Sequence, residues 1–203
     1  MFDPHHPRTV FAAEWGAGLI RSSDGGLTWR QEARRPAWIS TIAVDPLGSG
    51  TLYTNMHGGL LRSSDEGSSW KWHFFPIGAV MGVLAIDPSD PQMLYASIGD
   101  ASSRLRPPHL AVSVDGGKHW RFLKSGTHFI DATAVAIEPR VQNTIYAATR
   151  FQGVLRTTDG GATWRSFNTG LLARAISTLA LDRSGTWLYA GTNGAGVVRV
   201  RLH

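Results

Sequence analysis

The sequence predicts an all-β protein, a β-propeller of about five four-stranded antiparallel blades with the first and last blades incomplete. Three observations predict it. The segment Ser22-Ser23-Asp24-Gly25-Gly26-Leu27-Thr28-Trp29 recurs from Ser63 to Trp70, from Ser113 to Trp120 and from Thr157 to Trp164, so the frame Ser/Thr-x-Asp-x-Gly-x-x-Trp stands four times in the chain. Its aspartates are 41, 50 and 44 residues apart, the span of one four-stranded blade. Two further frames march in step with it, an apolar run ending in an acid and a Leu/Ile-Tyr pair, and no stretch reads as an amphipathic helix.

Each unit divides into four short strands. Ile42-Ala43-Val44-Asp45, Leu84 to Asp87, Val135 to Glu138 and Leu179 to Asp182 are the inner strand, apolar because it lies between two neighbouring blades. Asp45-Pro46 and Asp87-Pro88 end it, since proline cannot donate to a ladder and an aspartate bonds the following backbone. Leu52-Tyr53, Leu94-Tyr95, Ile145-Tyr146 and Leu188-Tyr189 open the second strand and hold every tyrosine of the chain. Gly-Leu-Leu-Arg and Thr-Trp-Arg runs supply the third and fourth strands.

The Asp frame falls at the hairpin between the third and fourth strands. Ser22, Ser63, Ser113 and Thr157 open it, and Asp24, Asp65, Asp115 and Asp159 are placed to accept N–H bonds of their own turn. Gly26, Gly67, Gly117 and Gly161 permit a positive φ, and Trp29, Trp70, Trp120 and Trp164 cover the hairpin from the blade edge. On these residues the chain resembles the Asp-box family, also called bacterial neuraminidase repeats. That family occurs in sialidases, xyloglucan-cleaving glycosidases, sortilin-type receptors and photosystem II assembly factors. The resemblance covers nearly the whole chain and implies the propeller fold; the box is structural in the family and carries no activity of its own.

The frames divide a single domain into units 1–38, 39–80, 81–130, 131–174 and 175–203. Phe2-Asp3-Pro4 keeps only the exit of an inner strand, and the last unit stops at His203 where a box is due. Either two blades are short in a closed five-bladed ring, or the ring needs outside help, and in the second case the terminal blade edges are expected to pair with another copy or with flanking sequence.

Composition bounds the function. The longest apolar run, Ile77 to Ile86, is about half of the roughly 20 residues a membrane span needs. Met1 is followed by Phe-Asp-Pro-His-His, which is not a signal segment, so the expectation is a soluble chain whose compartment is left open. There is no cysteine, which excludes disulfides and thiolate metal sites, and the histidines lack ligand spacing, so neither a metal nor another cofactor is expected. The net charge is +5, and 17 of the 20 basic residues are Arg, suited to planar pairing with carboxylates or phosphates. Nucleic acid is disfavoured, because no recognised motif accompanies that charge.

Propeller ligands usually bind at the channel mouth, on the face opposite the boxes. The loops assigned to that face carry Arg34, Arg35, His57, Arg104, Arg106, His109, Arg150 and Arg174, with Trp15 and Trp38 as candidate stacking residues. An anionic protein or glycan is the expected partner. The third unit is longer than its neighbours by an insertion at Gly99 to His109, stiffened by Pro107-Pro108. Nine of fifteen carboxylates are repeat positions, and Glu14, Asp100 and Asp131 are the conceivable acids or bases at the mouth. A sialidase resembling the family needs a tyrosine nucleophile, and no tyrosine is spare. A xyloglucanase-like pair of Asp100 and Asp131 is the enzymatic alternative, to be decided by their separation. The leading expectation is a non-enzymatic binding or assembly scaffold, with a glycoside hydrolase or a degenerate relative as the alternative.

Overall fold

The structure is a computed structural model that describes residues 1–14, 18–32, 39–56, 58–75, 79–100 and 108–202, with Glu14, Met56 and Asp100 described for the backbone alone. The described chain is all β, without a helix, and forms five antiparallel sheets in succession. The first holds β1 (Val10–Glu14), β2 (Gly18–Ser22) and β3 (Arg30–Gln31), with Phe2 bridged to Val10 as the remnant of an inner strand. The second holds β4 (Ile42–Val44), β5 (Leu52–Met56), β6 (Gly59–Ser63) and β7 (Lys71–Phe74). The third holds β8 (Ala79–Ile86), β9 (Leu94–Asp100), β10 (His109–Ser113) and β11 (Arg121–Phe122). A small hairpin, β12 (Lys124–Ser125) and β13 (His128–Phe129), then stands between the third and fourth sheets. The fourth sheet holds β14 (Ala132–Ile137), β15 (Ile145–Thr149), β16 (Val154–Thr157) and β17 (Arg165–Ser166). The fifth holds β18 (Ile176–Leu181), β19 (Trp187–Thr192) and β20 (Val197–Arg201).

Strand alternation gives every sheet two faces, one toward the preceding sheet and one toward the following sheet. Tyr95, Leu110 and Val112 of the third sheet pack on Ile145, Ala147, Leu155 and Trp164 of the fourth. The same arrangement joins the first sheet to the second through Phe11, Leu19 and Leu52, and the second to the third through Tyr53, Leu60, Leu94 and Ala96. Tyr146 and Val154 join the fourth sheet to Leu179, Leu188 and Ala190 of the fifth. Five sheets therefore share four cores, and among the described residues no fifth core joins the last sheet to the first. Among the described residues the sheets form an open arc of a propeller, without the core between last and first sheets that a closed five-bladed ring needs.

The corner between third and fourth strands is built alike four times. In the second sheet Ser63 Oγ donates to Asp65 Oδ1 at 2.7 Å and accepts the Gly67 N–H at 2.8 Å. The Asp65 carboxylate takes the N–H of Ser69 at 2.8 Å and its hydroxyl at 2.6 Å. Trp70 Nε1 closes the turn on the Gly67 carbonyl at 2.9 Å. Gly67 needs its positive φ of 94° to bring that carbonyl round. The corners at Asp24, Asp115 and Asp159 repeat these bonds, with His119 Nδ1 in place of a hydroxyl at Asp115. Donors crowded onto each carboxylate hold all four below the usual range, Asp159 at about 2. At the inner-strand exits the same chemistry is simpler. Asp45 and Asp87 accept the N–H two residues on, from Leu47 and Ser89, each at 2.8 Å.

Candidate functional site

Strand direction places the corners at one end of the sheets and puts the ends of β9, β14 and β15 that face the mouth at the other. The 101–107 segment leaves from Asp100 and returns at Pro108, and Pro108 packs so closely on Gly99 that a Cβ there would lie 3.0 Å from the Pro108 Cα. The insertion is thus pinched at its base, and His109 follows directly as the first residue of β10, opposite Ile98. The chain reaches the same place a second time through the β12–β13 hairpin, because Leu110 N–H donates to the Ile130 carbonyl at 2.8 Å. Ile130 is buried in the core, and its neighbours Phe129 and Asp131 flank it on the chain.

Three rings gather there. His109 stacks on Phe129 with centroids 4.7 Å apart and 23° between planes, and Phe122 stands edge-on to both at 6.4 and 6.0 Å. Lys124 Nζ lies 4.7 Å from the Phe129 centroid. Phe122 and Phe129 are exposed although apolar, and His109 is half-buried between them. Beside the rings, Asp131 enters β14 where Ala132 pairs with Thr149, which brings Arg150 alongside. Arg150 Nε is 3.7 Å from Asp131 Oδ2, an ion-pair distance too long for a hydrogen bond, and both carboxylate oxygens are buried without a hydrogen-bond partner among the described residues. Burial pushes the Asp131 carboxyl up; Arg150, and then His109, pull it the other way without cancelling that rise.

Of the residues expected at the mouth, the structure therefore brings His109, Asp131 and Arg150 together. Arg174 is exposed, its carbonyl accepting the Gly153 N–H at 2.9 Å. Arg34, Arg35, Trp15, Trp38, His57, Arg104 and Arg106 lie outside the described residues. Glu14 and Asp100 end β1 and β9 opposite Gly18 and Ala79, and their side chains lie outside the description. Phe122 and Phe129 were missed by sequence reasoning because neither belongs to the shared frames, and the length excess of the third unit, at Gly99 to His109, does not include them.

The repeat arginines are framework. Arg21, Arg62, Arg156 and Arg199 lie over Phe11, Tyr53, Tyr146 and Trp187 of their own sheets. No group of three or more metal-ligating side chains occurs among the described residues, and no helix there is long and apolar enough to cross a membrane. An apolar crevice of about 240 Å³ between the fourth and fifth sheets is lined by Val154, Phe167, Leu171, Leu188 and Val198. It is a gap in an interblade core, for Leu123, three residues after the Trp120 corner as Phe167 is after Trp164, is covered by the Gly161 corner of the next sheet.

No protein-family model matches the chain. It is similar to a xyloglucanase of Hypocrea jecorina (strain QM6a), 34% identical over 103 residues, covering 46% of this chain and 12% of that enzyme. Among solved structures, the GH74 xyloglucanase from Xanthomonas campestris superposes with a TM-score of 0.75 at 21% identity, over 98% of this chain and 36% of that one. The β-propeller domain of Cps50 (Swd1) from Myceliophteria thermophila superposes with a TM-score of 0.72 at 13% identity, over 99% of this chain and 63% of that one. These likenesses define the class of fold as a β-propeller. The chain spans about an eighth of the curated relative's length and about a third of the xyloglucanase structure's.

Proposed function

We propose that the chain is an Asp-box propeller segment of the xyloglucanase kind that engages a glycan at the His109, Phe122 and Phe129 surface, with Asp131 as the proton-donating carboxyl. The observation that carries it is the Asp131 carboxyl itself, buried beside exposed rings without a hydrogen-bond donor among the described residues. Pyranose rings present C–H faces that pack on aromatic side chains, and a carboxyl whose hold on its proton is strengthened by burial is suited to act on a glycosidic oxygen as general acid. Hydrolysis also needs a second carboxylate. Asp100, at the mouth-side end of β9, is the candidate, at roughly 6.5 to 9.5 Å from Asp131 for inversion or about 5 to 5.5 Å for retention. The xyloglucanase similarity supports this reading over simple capture of an anionic partner. For the latter only Arg150 and Arg174 stand among the described candidates, and Arg150 faces Asp131.

The test separates binding from cleavage. Retardation in gels containing xyloglucan reads binding, and release of reducing ends reads hydrolysis. Phe129→Ala is expected to weaken binding about tenfold, the loss of one aromatic contact worth about 1.4 kcal/mol. Asp131→Asn is expected to keep binding and lose cleavage at least 100-fold. A chain that neither binds nor cleaves xyloglucan or another β-glucan sinks the proposal.

A further inference from the structure

The outward faces of the first and fifth sheets are the two halves of one interblade seam, and the structure shows this position by position. The third-strand residue that points toward the following sheet is Leu19, Leu60, Leu110, Val154 and Val197 in turn, by pairing with Ala13, Asn55, Ser97, Ala148 and Gly191. The first four are 0, 0, 0 and 3% exposed, while Val197 is 73% exposed. The second-strand aromatic behaves alike: Phe11, Tyr53, Tyr95 and Tyr146 are fully buried, and Tyr189 is only half-buried. Ala180 and Thr178, paired with Tyr189 and Gly191, complete an open face. At the other end Val10 is half-buried where Leu52, Leu94, Ile145 and Leu188 are buried, and Phe2 beside it is exposed. The first corner is bare too. Trp29 is 43% exposed where Trp164 is 8%, and a Cβ at Gly26 meets nothing but Trp29, whereas Gly117 is covered by Leu60 of the preceding sheet.

We propose that these faces cover one another between two copies of this chain, head to tail, with Val197 of one copy seated at the Gly26–Trp29 corner of the next as Leu60 is seated at Gly117. All four seams inside the chain join a following-side face to a preceding-side face, and the chain carries one spare of each. Charge disfavours the pairing of two fifth-sheet faces. The open face of the fifth sheet bears Arg199 and Arg201, paired with Tyr189 and Trp187, so two such faces would set cation against cation. The open face of the first sheet, Phe2, Val10, Ala12 and Ile20, has no charge at its centre. Arg199 also holds the position of Arg21, whose guanidinium reaches across a seam to Glu66 at 3.2 Å. One seam extends the arc; two seams between the same copies close a ring of sheets.

The chain has no cysteine, which makes the test direct. Val197→Cys and Leu27→Cys are made separately, both at exposed positions. A short bis-maleimide is expected to link the two variants to each other when mixed and to link neither to itself. Native mass spectrometry of the unmodified chain at about 50 μM is expected to show two or more copies, and Val197→Asp to weaken that association at least tenfold. Self-linking of either variant, or a mixture and a native mass that both show only single copies, overturns the proposal. Glycan retardation by Val197→Asp remains that of the parent chain, so this result and the glycan result stand or fall separately.

Discussion

The corner glycines allow the seams between sheets to be weighed against turn strain within one set of variants. Gly67, Gly161 and Gly117 hold the same place in three corners with φ of 94°, 91° and 90°. Alanine at any of them therefore costs a similar amount for left-handed backbone, about 1 to 2 kcal/mol. What differs is the neighbour a new Cβ meets: Leu52 Cδ1 of its own sheet at 3.5 Å, Leu123 Cδ1 of the preceding sheet at 3.0 Å, and Leu60 Cδ2 of the preceding sheet at 2.2 Å. The first is ordinary contact. The second asks a leucine to yield by a few tenths of an ångström. The third cannot be met without displacing Leu60, a fully buried residue of a packed core, and adds about 1 to 3 kcal/mol. Gly67→Ala is expected to cost about 1 to 2 kcal/mol, Gly161→Ala slightly more, and Gly117→Ala about 2 to 5. Urea unfolding followed by circular dichroism and tryptophan fluorescence reads the order. If Gly117→Ala proves no worse than Gly67→Ala, the corner of one sheet does not seat on the sheet before it, and the stacking argument fails.

Three other outcomes follow from the same geometry. The corner carboxylates are depressed in the folded chain, so their stabilisation is complete above the ordinary carboxyl range near 4 and is lost as pH falls through the folded values, for Asp159 toward about 2; Asp159→Asn should lower the melting temperature at pH 7 and leave a smaller acid-induced decline than the parent shows. Asp131 is raised, so its sign is opposite: ionising it destabilises the fold progressively as pH climbs from the ordinary carboxyl range through the raised value. Asp131→Asn should melt higher than the parent at neutral pH and converge with it in acid; a neutral-pH melting point below the parent's would show that the carboxylate is instead held by partners. Leu110→Ala should cost about 2 to 5 kcal/mol by opening a cavity between the third and fourth sheets, whereas Val197→Ala in dilute solution should change stability by less than about 0.5 kcal/mol. Equal costs in urea would mean that the last face is covered within a single chain.

What the sequence discloses and what it withholds divide along the range of the interactions. The corners were legible because their bonds run between residues two to four apart, so Ser63, Asp65, Gly67 and Trp70 announce the turn without reference to the rest of the chain. The inner strands were legible for a related reason, being apolar runs stopped by an acid that bonds its own turn. Whether the ring closes was not legible. Tyr189 and Val197 look in sequence like Tyr146 and Val154, and only the missing neighbour distinguishes them. At the mouth, register along the frames was enough to gather His109, Asp131 and Arg150, since each lies at or beside the end of a strand whose place the repeat defines.

The rings at the mouth show why the repeat alone could not complete the site. Phe122 belongs to a two-residue outer strand and Phe129 to a hairpin absent from the frames, and each is meaningful only because Leu123 and Ile130 bond the two sides of Leu110, N–H to carbonyl at 2.8 Å in both cases. That double grip draws the hairpin and the base of the Gly99 to His109 insertion to one point. Both departures from the repeat fall in the third unit, and both end at the His109 ring, one through the covalent chain from Pro108 and the other through stacking by Phe129. Elsewhere the corner of one sheet covers a side chain of the sheet before it, as at Leu60 and Leu123, and those places are filled by the fold itself. Among the described residues, exposed rings beside a carboxyl without a donor arise where the chain stops repeating, and that coincidence is the physical ground on which the proposed glycan site rests.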